Sequence, residues 1–263
     1  MKLTYLAAIS TGTVIALGLV MLLPVFTLNA SSGSPSANSP MPVILSFSIS
    51  HVMKNEENTT EWCKSLSEVF DKHAIKATIF VSGNVAEAAP ECVSSFSSKI
   101  DIGSQTYSYV NLTDIGDYSR ALKEVQEGKR SVDKIGKLNS GLFRAPYDST
   151  DDNIYSLLRR AEIVADFSYS SQYNKYENEM FIKYDLSSYT WDEHRKYEDT
   201  SKFLQHLLSK NHPIAINFDN TTSILQIDDA ISNLKADKHL KIRLVNASEL
   251  VGINLTVREV EHT

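Results

Sequence analysis

From Val43 onward, apolar and polar residues follow two rhythms that take turns along the chain. "VILSFS" (43–48) is a short, nearly unbroken apolar run of strand length. "TTEWCKSLSEVFDKH" (59–73) spaces its apolar residues three and four apart, as a helix buried on one face does. "KATIFVSG" (76–83) and "DIGSQTY" (101–107) predict further strands, and "DYSRALKEVQEGKRSVDKIGK" (117–137) a long helix. "GLFRAPYD" (141–148), "EIVADFSY" (162–169), "PIAINFD" (213–219) and "LKIRLV" (240–245) also read as strands. Helices are expected between them, near 151–161, 200–210 and 225–236. Such alternation over roughly 200 residues predicts an α/β fold of parallel strands covered by helices. No glycine-rich phosphate loop appears, so a closed or partly closed (β/α) barrel fits better than an open doubly wound sheet.

The N-terminal pattern is different. Leu3 to Leu28 has no charged residue and is dense in Leu, Val, Ile and Ala, long enough for the ~20 residues a bilayer crossing takes. Residues 1–28 are expected to be a signal or anchor segment. Its length favours an uncleaved anchor over a secretory signal cut after "LNA". The single cation, Lys2, precedes it, so the rest of the chain is sent across the membrane. Residues 29–42, "NASSGSPSANSPMP", read as a Ser/Pro-rich linker, 43–252 as the barrel, and 253–263 as a tail. Both readings of the leader expect the bulk of the protein at the cell surface or secreted.

Composition adds modest constraints. A chain of 263 residues with 42% apolar residues is long enough for one sizeable core. A net charge of −6 with scattered Lys and Arg argues against a nucleic-acid partner. The two cysteines, Cys63 and Cys92, suggest one disulfide in an exported chain, with two buried thiols as the alternative. Sequons for N-glycosylation occur at Asn58, Asn111, Asn220, Asn246 and Asn254.

In a (β/α) barrel the chemistry belongs at the C-terminal strand ends, here "SFSIS", "SGN", "SQTYSY", "FRAPYD", "SYSS" and "NFDN". Within "GSQTYSYVNLT" (103–113), Gln105 and Tyr109 are four apart, a spacing that shares one face of a helical turn. Metal sites use such pairs, but with imidazole or carboxylate rather than an amide and a phenol. Ser48, Ser50 and His51 invite a serine-hydrolase reading, yet neighbours on a strand face opposite ways and no acid partner is identifiable.

In this order, these segments resemble the NodB-type polysaccharide deacetylases of carbohydrate esterase family 4. "KHAIKATIFVSGNVAEAAPE" (72–91) is the clearest match, followed by "DIGSQTYSYVNLT" and "LFRAPYD". The resemblance implies a distorted (β/α) barrel and, in active members, zinc or another divalent metal on one aspartate and two histidines. A second aspartate is the base, and a late-strand histidine protonates the leaving amine. The cation lowers the pKa of its water and stabilises the oxyanion.

Laid on this chain, the base position becomes Ser48 and the metal aspartate Ile49. The two histidines become Gln105 and Tyr109, and the late-strand histidine falls on Phe218, or one residue off if the register slips. The aspartate after the fifth strand has no secure match, Ser170 being nearest. Arg144, the family's partner for the catalytic aspartate, is retained without that partner, and Asp148 is the candidate substitute. Tyr147 matches the residue whose backbone N–H is the oxyanion donor. The chain therefore reads as a degenerate relative that needs no cofactor, His51 and Asp219 being the remaining candidates for a displaced metal site. Tyr107, Tyr109, Tyr147 and Tyr169 suggest an aromatic rim for a chitin-like polysaccharide. The alternative is an active chitin or chito-oligosaccharide N-deacetylase working through displaced ligands.

Overall fold

The computed structural model describes residues 40–168, 182–183, 187–190, 202–203, 205–206, 213–237 and 240–251. The expected leader (1–28), linker residues 29–39 and the tail (253–263) lie outside the described residues. So does most of the helix expected near 200–210, of which 202–203 and 205–206 are helical. Among the described residues no helix is long and apolar enough to cross a membrane.

Among the described residues nine strands form one sheet: β1 (Met41–Ile49), β2 (Ala77–Val81), β3 (Ile100–Ser104), β4 (Leu142–Phe143), β5 (Ala165–Asp166), β6 (Ile182–Lys183), β7 (Ser187–Thr190), β8 (Ile214–Asp219) and β9 (Ile242–Val245). Their order is β6-β5-β4-β3-β2-β1-β8-β7, with β9 alongside the start of β1. Every pairing is parallel. The sheet curls into a half-barrel, a distorted (β/α) barrel of the expected class. β1 begins at Met41, so Met41 and Pro42 belong to the sheet rather than to the linker. The expected strands at 141–148 and 162–169 shrink to two residues each, while β6 and β7 fall in a stretch where no strand was expected.

The helices are set by their caps. In α1 (Glu56–His73) the Asn55 side chain accepts from the Asn58 N–H, and Ala74 closes the last turn in the left-handed conformation. Asp117 caps α4 (Tyr118–Gly136), Asp151 caps α5 (Asp152–Arg160), and Ser223 with Gln226 makes a capping box for α6 (Ile224–Ala236). Two short helices, α2 (Gly83–Ala88) and α3 (Glu91–Ser94), follow β2. Cys63 on α1 and Cys92 on α3 form the expected disulfide, 29 residues apart. Closing a loop of that length stabilises the fold by about 3–4 kcal/mol in the chain-entropy account.

Strand parity sorts the core. Val43, Leu45, Phe47 and Ile49 of β1 join Ile214, Ile216 and Phe218 of β8 beneath Trp62, Leu66 and Phe70 of α1 and Ile227 and Ile231 of α6. Each fully buried side chain of this kind is worth about 1.5–3 kcal/mol. The alternate positions face the concave side. Ile44, Phe80, Leu142 and Ala215 pack there with Val245, Ala247 and Val251. A short helix, α7 (Ala247–Val251), closes this side at the strand starts. The Asp101 carboxylate accepts from Ser248 N at 2.6 Å and Asn246 Nδ2 at 3.2 Å, and Thr78 Oγ1 accepts from Ala247 N at 2.8 Å. The opposite, C-terminal strand ends form the mouth.

Candidate functional site

The loops around the mouth are laced together by backbone bonds. Ser82 N donates to Ile49 O, Gln105 N to Val81 O, Gly83 N to Thr106 O, Arg144 N to Ser104 O and Asn220 N to Ser48 O. The loop after β3 is also clamped from outside. Glu124 on α4 accepts from Ser108 N and Oγ, and its carbonyl accepts from Tyr107 N. Gly128 lets α4 come this close, because a Cβ there would lie 2.2 Å from the Gln105 carbonyl oxygen.

The Gln105–Tyr109 segment is not the helical turn that the spacing suggested. It is an irregular loop in which Tyr109 takes a left-handed φ of 54°. The two side chains converge all the same, on Ser48. Gln105 Nε2 donates to Ser48 Oγ at 2.9 Å, and the Tyr109 hydroxyl lies close to the same serine. Gln105 is 1% exposed, and its Oε1 has no partner among the described residues. Burial raises the Tyr109 phenol above its ordinary pKa, against a smaller opposing effect of the nearby Ser48 hydroxyl. Tyr109 therefore stays neutral at physiological pH.

Arg144 lies beside this cluster, buried and fully engaged. Nε and Nη2 donate to the two Asp148 oxygens, each at 2.8 Å, as a fork. Nη1 reaches Asn217 Oδ1 at 2.5 Å and Ser46 Oγ at 3.3 Å. The substitute partner is thus Asp148. Tyr147 and Asp148 both have left-handed φ, 60° and 52°, which carries Tyr147 out to 68% exposure and swings Asp148 back onto the guanidinium. Below this loop Ala145 N donates to Ser168 Oγ at 2.7 Å, and Ser168 N donates to the buried Asp166 at 2.9 Å.

Several expected site residues lie elsewhere. Ile49 is fully buried on the helix side, so it does not join Gln105 and Tyr109. Phe218 is likewise turned to the helices, stacked on Phe47 with ring centroids 4.9 Å apart. The mouth position of β8 is instead Asn217, which pairs in register with Ser46. Tyr107 turns away toward α2, where its hydroxyl donates to Glu87 at 3.0 Å. Of the expected aromatic rim, Tyr109 and Tyr147 meet, with centroids 5.3 Å apart, and Tyr169 and Ser170 lie outside the described residues. Parity gave the signal that was missed: Ile214, Ile216 and Phe218 continue one apolar face, as do Val43 to Ile49 in steps of two.

Two sequons are also corrected. Asn220 and Asn246 are buried, and their amide nitrogens donate to His51 O and to Lys99 O and Asp101. A glycan on either nitrogen is incompatible with this packing. Asn58 is exposed, Asn111 half-buried, and Asn254 lies outside the described residues.

A divalent cation is poorly served by what the mouth offers. Ser48 and Tyr109 are neutral hydroxyls, Gln105 turns its NH2 toward the serine, and Ile49 faces away. His51 bonds its neighbour Ser50, and Asp219 accepts from Thr221. Among the described residues no three His, Cys, Asp or Glu side chains gather as a metal site. The donor set does not fit zinc.

These features define a class first: a parallel (β/α) half-barrel with its polar residues gathered at the C-terminal strand ends. Residues 39–165 match the family model described as polysaccharide deacetylase. The chain resembles that family in its NodB-type form, as a degenerate relative. A carbohydrate esterase family 4 pseudoenzyme from Bacillus anthracis aligns with a TM-score of 0.57 at 16% identity, over 81% of this chain and 66% of its own. A mutant of that pseudoenzyme has restored enzymatic activity. The peptidoglycan deacetylase PdaC from Bacillus subtilis gives 0.53 at 18%, over 80% of this chain and 90% of its own. A Mycobacterium smegmatis protein assigned as a polysaccharide deacetylase gives 0.62 at 13%, over 90% and 100%. This chain spans just under two thirds of the length of the Bacillus anthracis protein. Identities this low carry the fold and not the activity. A search among curated proteins finds no match.

Proposed function

We propose that the protein is a non-catalytic polysaccharide deacetylase-like barrel, anchored at the cell surface or secreted, whose mouth contacts a chitin-like N-acetylglucosamine polymer. The observation that carries this reading is the Ser48–Gln105–Tyr109 cluster, in which neutral groups gather where a deacetylase needs a base and a cation. The disulfide supports an oxidising compartment. Tyr147 and Tyr109 supply aromatic faces on which a sugar ring can stack, and the part-exposed Asp148 supplies a polar edge. The competing reading, an active deacetylase with displaced ligands, would need His51 and Asp219 to leave their present bonds.

Metal analysis of the purified protein, with acetate release from chito-oligosaccharides in added zinc or cobalt, separates the two. No bound metal and no acetate are expected. Stoichiometric metal with turnover would overturn the proposal. Retention on insoluble chitin, lost in Tyr147→Ala, is expected of the glycan-binding part. No retention of the wild type would leave a purely structural surface role.

A further inference from the structure

On the outside of the half-barrel, far in sequence from the mouth loops of β1 and β8, α4 and the end of α5 enclose a depression of about 520 Å³. Four cations line it: Lys129, Arg130, Lys134 and Arg160. Two acids, Asp133 and Glu162, also line it, so the local sum is 4 − 2 = +2 in a chain of net charge −6. The charges are not equivalent. Lys129 is 7% exposed, and its ammonium donates to Asp133 at 2.5 Å and Asn139 Oδ1 at 2.9 Å. Asp133 also accepts from Ser140 N at 2.8 Å, and burial still raises its carboxyl.

An ammonium has three donors, and among the described residues Lys129 uses two, so one N–H of this lining residue is left for a ligand. Arg130 and Lys134, four apart on α4, share a helical face and stand with Arg160 on its walls. None of these three makes an ion pair with another described residue. Of the two acids lining the depression, Glu162 is the one not tied to Lys129, and the Glu87 carboxylate on α2 lies within electrostatic range of Lys134.

We propose that this depression binds a tetrahedral oxyanion, a phosphate or sulfate ester group, held by Arg130, Lys134 and Arg160 above the Lys129 ammonium. Two unpaired arginines suit such a group because a planar guanidinium fork matches two of its oxygens, and a dianion answers several cations better than one carboxylate does. Asn139 and Gln126 add polar contacts at the edge. The Lys129–Asp133–Ser140 network holds the buried lysine in place beneath the exposed Arg130 and Lys134.

The test is calorimetric titration of the full chain with inorganic pyrophosphate and, separately, with sulfate, at low and near-physiological ionic strength. One saturable site is expected, weakening as salt rises. Pyrophosphate binding without sulfate binding would identify a phosphate source, and equal binding a general oxyanion site. Arg130→Gln combined with Arg160→Gln should weaken binding by about tenfold or more, with an unchanged melting temperature. As a control of equal charge change, Lys64→Gln with Lys241→Gln alters exposed lysines outside the depression. Equal weakening by both pairs would reduce the effect to net charge and overturn the site. So would the lack of saturable binding by either anion.

Discussion

Two of the buried charged side chains, Arg144 and Asp101, lie at opposite ends of the half-barrel and are treated differently. At the mouth, Arg144 has a carboxylate fork and two further oxygen acceptors. At the closed end, the Asp101 carboxylate accepts from the amides Asn246 Nδ2 and Ser248 N, and burial outweighs these bonds and the more distant Lys76 charge, so its pKa rises. The arginine cannot shed its charge, so the chain must supply a counter-ion wherever that residue is kept. The aspartate can take up a proton, so neutral partners suffice. At the mouth the negative charge that answers Arg144 is on Asp148, four residues along the chain, while Ser48 is neutral. The closed end has used its carboxylate to seat a helix.

The largest effect expected from this contrast is at Asp148. Asp148→Ala leaves a buried guanidinium without its fork and should cost about 2–3 kcal/mol in urea unfolding. That is below the cost of a fully buried pair, because Asp148 is a quarter exposed. Ser48→Asp in the same chain should recover part of the loss. A loss no larger than that of a surface change would mean that Arg144 does not depend on the fork.

A smaller effect is expected at the other end. The Asp101 carboxyl is raised above its reference of 3.8, so the folded state favours the protonated form. Its contribution to stability is then present below about pH 4 and lost as pH rises through the folded pKa. Asp101→Asn should flatten this slope, and should cost under about 1 kcal/mol at neutral pH because the amide oxygen still accepts from Ser248 N. A pH profile identical to that of the wild type would show that Asp101 does not titrate in this window. The smallest effect on folding belongs to Tyr147. At 68% exposure, Tyr147→Ala should change stability by no more than about 0.5 kcal/mol, so any loss of chitin retention is a binding effect. A larger drop in melting temperature would show that the ring is part of the mouth's packing.

Much of the fold was legible in the sequence because long buried strands and capped helices are local signals. "VILSFS" and the helix 117–137 have one period each, and the structure keeps both with small shifts at the ends. The two cysteines also paired as expected. Short elements were not legible: β4 and β5 have two residues each, too few for any period to show. At the mouth, the motif order placed Ser48, Gln105, Tyr109 and Arg144 together correctly. It misplaced Ile49 and Phe218, because motif position says which residue follows which but not which face it takes. Reading β8 by parity puts Phe218 with Ile214 and Ile216, and leaves Asn217 for the mouth. The turn of Tyr107 toward Glu87 depends on a helix contact through Gly83 and Gly128 that no local pattern encodes.

The nine described strands run in one direction, and the chain enters β1 at the end sealed by α7. Anything that holds the residues before Met41 therefore pulls on the back of the domain. A leash attached there leaves Tyr147 and its neighbours looking outward, so the same chain direction that shapes the sheet also sets which way the protein faces.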